Sequence, residues 1–255
     1  MNITLKENQK IFFASDFHLG TPSASSSLDR EKKIIRWLEL IEKEAAAVFL
    51  LGDLFDFWFE YDTVIPKGYL RFLSKITQMR QQGVPVFFFT GNHDLWMKDY
   101  FTQELDIPVF HNPISLQVNQ KKFLIGHGDG LGPGDNTYKV LKKIFTNRSC
   151  QWLFKWLHPD VGIRLATRWS KRSRINNSLK GEDEFKGKES EWLYLYCLDM
   201  EKKMHFDYYV FGHRHLPLSI PVGNSSMYFN LGEWVSQYHY GVFNGHGFQL
   251  INFKG

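Results

Sequence analysis

Apolar and polar residues come in short blocks along this chain. Three apolar runs end abruptly in polar residues. Ile11-Phe12-Phe13-Ala14 leads into Ser15-Asp16-Phe17-His18, the run over 47–51 into Gly52-Asp53, and the run over 86–90 into Gly91-Asn92-His93-Asp94. Apolar runs of this length, bounded by turn residues, predict buried strands. Residues 28–43 and 67–82 predict helices, and in the first of these Ile34, Trp37, Leu38 and Ile41 share one face. Strand alternating with helix predicts an α/β sheet covered by helices, whose site lies at the carboxyl ends of the strands. A fourth run, 122–126, ends in His127-Gly128-Asp129, and a fifth, 208–211, in Gly212-His213-Arg214-His215. Beyond it come short strands separated by turn residues such as Asn244-Gly245, which predict a β-rich C-terminal layer.

The stretch 136–196 reads differently. Its apolar residues recur at helical spacing, as in Tyr138-Lys139-Val140-Leu141 and Trp152-Leu153-Phe154-Lys155-Trp156-Leu157. Lying between the fourth and fifth strands, it is expected to be a helical insertion into a core made of 1–135 and 197–255. Residues 23–27 read as a small, mobile Ser/Ala-rich loop.

Composition narrows the class. The chain has 255 residues, 43% hydrophobic and 23% charged, so it is neither disordered nor fibrous. No apolar run approaches the ~18 residues of a membrane span. Met1 to Lys10 is polar, which predicts no secretory signal, and two cysteines are too few for a disulfide framework. The expectation is a reduced, cytoplasmic protein. The net charge of +4 is an average of unlike parts: 136–196 holds 13 basic and 6 acidic residues, while the remainder is slightly acidic.

The chemistry is concentrated at the strand ends. Five of the ten histidines sit there, interleaved with Asp and Asn. One Asp-x-His is unremarkable as a loop turn; five such clusters closing successive strands point to a metal site. Carboxylate, carboxamide and imidazole donors suit Mn²⁺, Fe or Zn²⁺, and the lack of cysteine there argues against structural zinc. His111, His158, His205 and His246 lie outside these blocks and read as surface or turn residues, His239 as a strand residue.

The ordered series Asp-x-His, Gly-Asp-x-x-Asp, Gly-Asn-His-Asp, His-Gly-Asp and Gly-His-x-His resembles the calcineurin-like metallophosphoesterases. That resemblance implies a four-layer β-sandwich flanked by helices, with two divalent metal ions, Mn²⁺ foremost. It implies that one ion takes Asp16, His18, Asp53 and His215, and the other Asp53, Asn92, His127 and His213, so that Asp53 bridges. Paired cations of this kind activate water and neutralise phosphoryl charge. His93 is implied to contact the phosphoryl group or protonate the leaving oxygen, with Asp94 able to orient it. Asp56 reads either as support for a metal-bound histidine or as a helix N-terminal acid, and Asp129 is equally open.

The insertion bears on substrate. Between 136 and 180 it carries 11 basic residues against one acid, interleaved with tryptophan, phenylalanine and leucine. This composition suits an acyl chain beside anionic groups, or a membrane interface; ordinary helix packing with a solvated basic face would also produce it. Gly52-Asp53-Leu54-Phe55-x-x-Trp58, His127-Gly128-Asp129-x-Leu131, Asp135-x-x-Tyr138 and the basic insertion are similar to the branch of the family that acts in lipid A synthesis, the UDP-2,3-diacylglucosamine diphosphatases. The chain departs from that branch at His93, where the branch carries arginine. The similarity implies cleavage of a UDP-linked diacylated sugar to UMP and a sugar 1-phosphate, an acyl-binding lid, and peripheral association with the cytoplasmic face of a membrane. It implies substrate contacts from Trp58, Asp135, Tyr138, Arg172, Arg174, Asn176, Asn177 and Lys180. A nuclease would also use a basic patch, but the apolar insertion fits acyl chains better than a wet DNA surface, so no stable nucleic-acid partner is expected. A non-enzymatic scaffold should have lost ligands, and here all seven are present.

Overall fold

The structure is a computed structural model that describes residues 1–21, 26–134, 136–179 and 184–255; for 137 and 173–179 it describes the backbone alone. In chain order the first half comprises β1 (Asn2–Ile3), β2 (Lys10–Ala14), α1 (Ser27–Ile41), β3 (Ala45–Leu51), α2 (Leu70–Gln81), β4 (Val86–Phe89), α3 (Tyr100–Glu104), β5 (Val109–Phe110), β6 (Ile114–Val118) and β7 (Lys121–Gly126). The second half comprises α4 (Asn136–Phe145), α5 (Arg148–Lys155), α6 (Pro159–Leu179), α7 (Trp192–Glu201), β8 (Tyr208–Phe211), β9 (Pro217–Val222), β10 (Ser226–Leu231), β11 (His239–Phe243) and β12 (Phe248–Asn252).

The strands form two six-stranded sheets, ordered β12-β11-β2-β3-β4-β5 and β1-β6-β7-β8-β10-β9. β2, β3, β4 and β5 run parallel, as do β7, β8 and β10. The ends that carry the polar clusters therefore emerge on one side of the molecule. The reason the runs lack alternation is visible in the packing. Phe13, Phe49, Phe123, Phe243 and Phe248 fill the space between the sheets, and Phe13 lies 6.1 Å from Phe123 across it. The intervening residues, Phe12, Ala14, Val48 and Leu50, face α1 and α2 through Ile34, Trp37, Phe72 and Ile76. On the outer face of the other sheet α7 packs Leu193 and Cys197 against Tyr209 and Tyr228. Helix, sheet, sheet and helix make the expected four layers, with β2, β3 and β8 buried on both faces.

The differences from expectation are local. α1 begins at Ser27 because the hydroxyl of Ser26 caps the helix, accepting from Asp29 N at 3.1 Å. Only the 26–27 part of the expected loop lies within the described residues. α2 starts at Leu70, not 67, because Gly68 and Tyr69 are both in left-handed backbone (φ 111° and 58°), which no helix propagates through. The expected boundary at 196 falls inside α7, whose buried residues pack on the core. Among the described residues no helix is long and apolar enough to cross a membrane.

Cys197 is fully buried in α7, and burial together with the nearby Glu191 charge pushes its thiol well above the ordinary value, whereas Cys150 on α5 is half-buried. Iodoacetamide should therefore alkylate native protein at Cys150 and spare Cys197, as read by peptide mass spectrometry. Equal labelling of both would show that α7 is not packed on the sheet.

Candidate metal centre and adjoining cavity

The strand ends turn sharply, and the backbone records it. Ten described non-glycine residues have positive φ, and five of these are Asp16, His18, Asp53, His213 and His215. Such conformations persist only where surroundings hold them. Here adjacent loops bond each other: Asp16 N donates to Gly52 O (3.0 Å), His18 N to Asp53 O (2.9 Å), and Gly212 N to His127 O (2.9 Å). Arg30, buried in α1, donates to the carbonyls of His18 (2.7 Å) and Thr21 (2.9 Å). Gly91 is required by close approach, since a Cβ there would lie 2.2 Å from Asp53 Oδ1.

All seven expected ligands converge. Asp16, His18, Asp53 and His215 can each offer an atom within 4.8 Å of the others. His215 Nε2 lies 3.1 Å from both Asp16 Oδ1 and His18 Nε2, and His18 Nε2 is 3.8 Å from Asp53 Oδ2. On the other side, His127 Nε2 is 3.4 Å from Asp53 Oδ2 and 3.3 Å from Asn92 Oδ1, and His213 Nδ1 is 2.9 Å from Asn92 Oδ1. Asp53 Oδ2 thus faces both groups, while Asp53 Oδ1 accepts from His93 N at 2.8 Å. The ring of His127 is set by its Nδ1, 2.8 Å from Leu51 O, which turns Nε2 inward.

Electrostatics favour a cation in this space. Burial would raise the Asp53 carboxyl, yet the surrounding imidazoles of His127, His93 and His18 hold it well below its ordinary value. Burial lowers His18 to about 3, so its imidazole is neutral and offers lone pairs. Burial, helped by His127, lowers His213 to about 4. Asp16 Oδ1 is a buried carboxylate oxygen whose near neighbours are imidazole nitrogens, His215 Nε2 at 3.1 Å and His18 Nε2 at 3.8 Å. Convergent imidazole nitrogens, two carboxylates and a carboxamide oxygen, none of them thiolate, are a donor set for two divalent cations.

His93 edges the cluster, its Nε2 4.0 Å from Asp53 Oδ2 and its ring 4.9 Å from that of His18. Asp94 does not orient it. The Asp94 carboxylate instead accepts from the backbone amides of Gly91 (2.7 Å), Asp53 (3.3 Å) and Leu54 (2.8 Å), drawing the ends of β3 and β4 together around Asp53. The acid beside His93 is Asp56, whose carbonyl lies 3.1 Å from His93 Nδ1. Asp129 anchors the insertion: its Oδ2 accepts from Tyr138 OH and Lys142 Nζ, both at 2.6 Å.

A cavity of about 670 Å³ opens from this cluster. Asn92, His93 and His213 form its polar end, and Trp96, Leu141, Phe145, Phe154, Leu165 and Trp169 line the rest. Core and insertion meet along it: Trp96 Nε1 donates to Phe145 O at 2.6 Å, and the Trp96 and Phe154 rings lie 4.8 Å apart. Tyr138 lines the cavity. Trp58 also borders it but is fully buried, with its indole donating to Glu60 Oε1 at 3.0 Å, so its side chain supports the wall from behind. Arg172 is exposed on α6. The side chains of Arg174, Asn176 and Asn177, and the whole of Asp135 and Lys180, lie outside what the structure describes.

Sequence reasoning missed Arg30, Ser170 and the Arg214–Glu191 pair. Arg214 Nε donates to Glu191 Oε2 at 3.0 Å with the guanidinium 4.2 Å from the Trp192 ring centroid, holding the loop that carries His213 and His215 against α7. The only signal was Arg214 lying between two histidines.

A family model, calcineurin-like phosphoesterase, matches residues 9–217. The chain belongs to that family. UDP-2,3-diacylglucosamine hydrolase of Porphyromonas gingivalis is 34% identical over 92% of this chain and 94% of its own length. The enzyme of the same name from Vibrio parahaemolyticus is 28% identical over 94% of this chain and 96% of its own length. Among solved structures, Vps29 of Chaetomium thermophilum has a TM-score of 0.47 at 9% identity, over 96% of this chain and 88% of that one. As a calcineurin-like phosphoesterase the chain is a metal-dependent hydrolase with a two-metal site.

Asp53 stands between the two halves of the cluster, with Gly91 packed against it. Asp53→Ala should abolish binding of two metals per chain by elemental analysis. Gly91→Ala, which pushes on Asp53 Oδ1, should weaken metal affinity about 10–100-fold. Stoichiometric metal retention in Asp53→Ala would refute the bridging assignment.

Proposed function

We propose that this chain hydrolyses the pyrophosphate of UDP-2,3-diacylglucosamine, releasing UMP and 2,3-diacylglucosamine 1-phosphate. The carrying observation is the apolar cavity that begins at Asn92, His93 and His213 and runs between Phe145, Phe154 and Trp169. A substrate placed there must join a phosphoryl group to hydrocarbon. The names of the Porphyromonas and Vibrio relatives support the same reading.

The roles follow from position. Asp16, His18, Asp53 and His215 would hold one divalent ion, and Asp53, Asn92, His127 and His213 the other. Together the ions would supply Lewis-acid charge and an activated nucleophile at neutral pH. Mn²⁺ is the first choice for this N/O donor set, with Zn²⁺ and Fe the alternatives. His93 lies at the boundary of cluster and cavity, where it would contact the phosphoryl group or give a proton to the leaving oxygen. Tyr138, fixed by Asp129, faces the same space, and the helices of 136–196 exclude water from the acyl chains. Asp135, Arg172, Arg174, Asn176, Asn177 and Lys180 are the proposed contacts to the nucleotide and sugar.

The same helices would bring the enzyme to its substrate. Of sixteen exposed large hydrophobic residues described, ten lie in 136–196, among them Trp152, Leu153 and Trp156. Set among lysines and arginines, they suit peripheral docking on an anionic leaflet at the cytoplasmic face.

With Mn²⁺, the purified protein should release UMP from the diacylated UDP-sugar far faster than from its unacylated counterpart. No UMP release with Mn²⁺, Zn²⁺ or Fe²⁺ would reject the substrate, and equal rates would reject the acyl role of the cavity. His93→Ala should lower kcat by about 10²–10⁴-fold, the range for a lost general acid–base group. In sedimentation with phosphatidylglycerol vesicles, Trp152→Ala/Trp156→Ala should bind about tenfold more weakly than the parent; unchanged binding would place the membrane contact elsewhere.

A further inference from the structure

Ser170 belongs to α6 of the insertion, yet its side chain is buried against the core. Its hydroxyl donates to Asp56 Oδ1 at 2.8 Å. The same oxygen lies 3.0 Å from His93 Nδ1. Asp56 Oδ1 itself is 3.7 Å from that nitrogen, beyond direct hydrogen-bond reach, so the serine stands between carboxylate and imidazole.

The order of donors settles the tautomer. Asp56 is an acid with no proton to offer as a carboxylate, so the serine proton goes to it. Ser170 Oγ then faces Nδ1 with a lone pair. The Asp56 carbonyl, 3.1 Å from Nδ1, is a second acceptor on that side. Two acceptors at one ring nitrogen require that it carry the proton. The Nε2 lone pair is left on the side of Asp53 and the metal cluster.

We propose that Ser170 is a positioning residue through which α6 keeps the Nδ1–H of His93 in place, so that Nε2 is the nitrogen that takes up a proton and delivers it at the phosphoryl site. This rests on the reading that His93 faces the phosphoryl group. It goes further in making the substrate-covering helix part of the catalytic apparatus. Seating α6 over the cavity completes the hydrogen-bond chain Asp56–Ser170–His93, so the helix that covers the acyl chains also orients the histidine. His93 contacts the reacting group; Ser170 acts only through it.

The test compares the parent with Ser170→Ala and Ser170→Thr in the full chain. Histidine-¹⁵N spectra of Zn²⁺-loaded protein at mildly alkaline pH, with His93 assigned from a His93→Gln sample, report its tautomer directly. The parent and the threonine variant should show a protonated Nδ1 and a bare Nε2, and the alanine variant a mixture. With the diacylated UDP-sugar, Ser170→Ala should lower kcat about tenfold, the scale of one lost hydrogen bond, with KM within about twofold, and threonine should restore most of the loss. A serine that merely packs the helix would raise KM and leave kcat and the tautomer unchanged; that result overturns the proposal. An unchanged His93 tautomer in Ser170→Ala overturns it as well. If the parent releases no UMP, the substrate assignment fails, while the spectra still decide the role of Ser170.

Discussion

The structure depends on one buried carboxylate. Asp53 sits at the end of β3 in left-handed backbone, with imidazoles of His18, His93 and His127 around it. A buried anion is costly unless matched by positive charge and hydrogen bonds. The whole arrangement of strand ends meets that demand. His93 N bonds one carboxylate oxygen, and the other faces both halves of the metal cluster. The carboxylate of Asp94 collects the amides of Gly91, Asp53 and Leu54, so the loop bearing Asp53 is itself held by a second buried acid. Divalent cations held in this cluster would balance the charge that burial otherwise penalises.

The sandwich makes this affordable in conformational terms. Parallel strands from each sheet bring their carboxyl ends to the same side, and short loops from both then touch. His213 and His215 come from the second sheet and Asp16, His18 and Asp53 from the first. Their contact, His213 N to Asp16 Oδ2 at 3.0 Å, is one of the stitches across the two sheets. The stacked phenylalanines between the sheets keep that relation rigid. Five left-handed residues of the cluster, Asp16, His18, Asp53, His213 and His215, can be sustained because the layers beneath them do not yield.

The insertion adds a second environment next to the first. Its aromatic side chains enclose an apolar space, while Asp129, Tyr138 and Lys142 pin its first helix beside the His/Asp cluster. Ser170 reaches back from its last helix to Asp56 and His93. A polar cluster and a hydrocarbon-lined chamber therefore share one wall, which is the chemistry an amphiphilic phosphoester requires. The uneven charge of the chain fits this division: the part holding the His/Asp cluster is slightly acidic and the stretch 136–196 is basic.

By itself the sequence marked the buried strands and the polar clusters that close them, and its resemblance to the family supplied the four layers and the expected ligands. Apolar runs such as Ile11-Phe12-Phe13-Ala14 have no alternation because both faces are buried, and burial on both faces is what a sandwich between helices imposes. The residues that converge in the His/Asp cluster were legible because each follows such a run and is a residue type able to bind metal. Partners brought together from distant parts of the chain were not legible. Nothing in the local sequence pairs Ser170 with Asp56, 114 residues apart, or sets Glu191 on Arg214. Asp94 shows the same limit. Its place beside His93 suggested that it orients the ring, whereas the turn after β4 points it at backbone amides of the β3 loop, because those unpaired donors need an acceptor. Residue type and spacing decide which chemistry a chain can perform; only the packing of separate loops decides which side chain supports which, since that choice is made by whichever buried donor or acceptor would otherwise go unpaired.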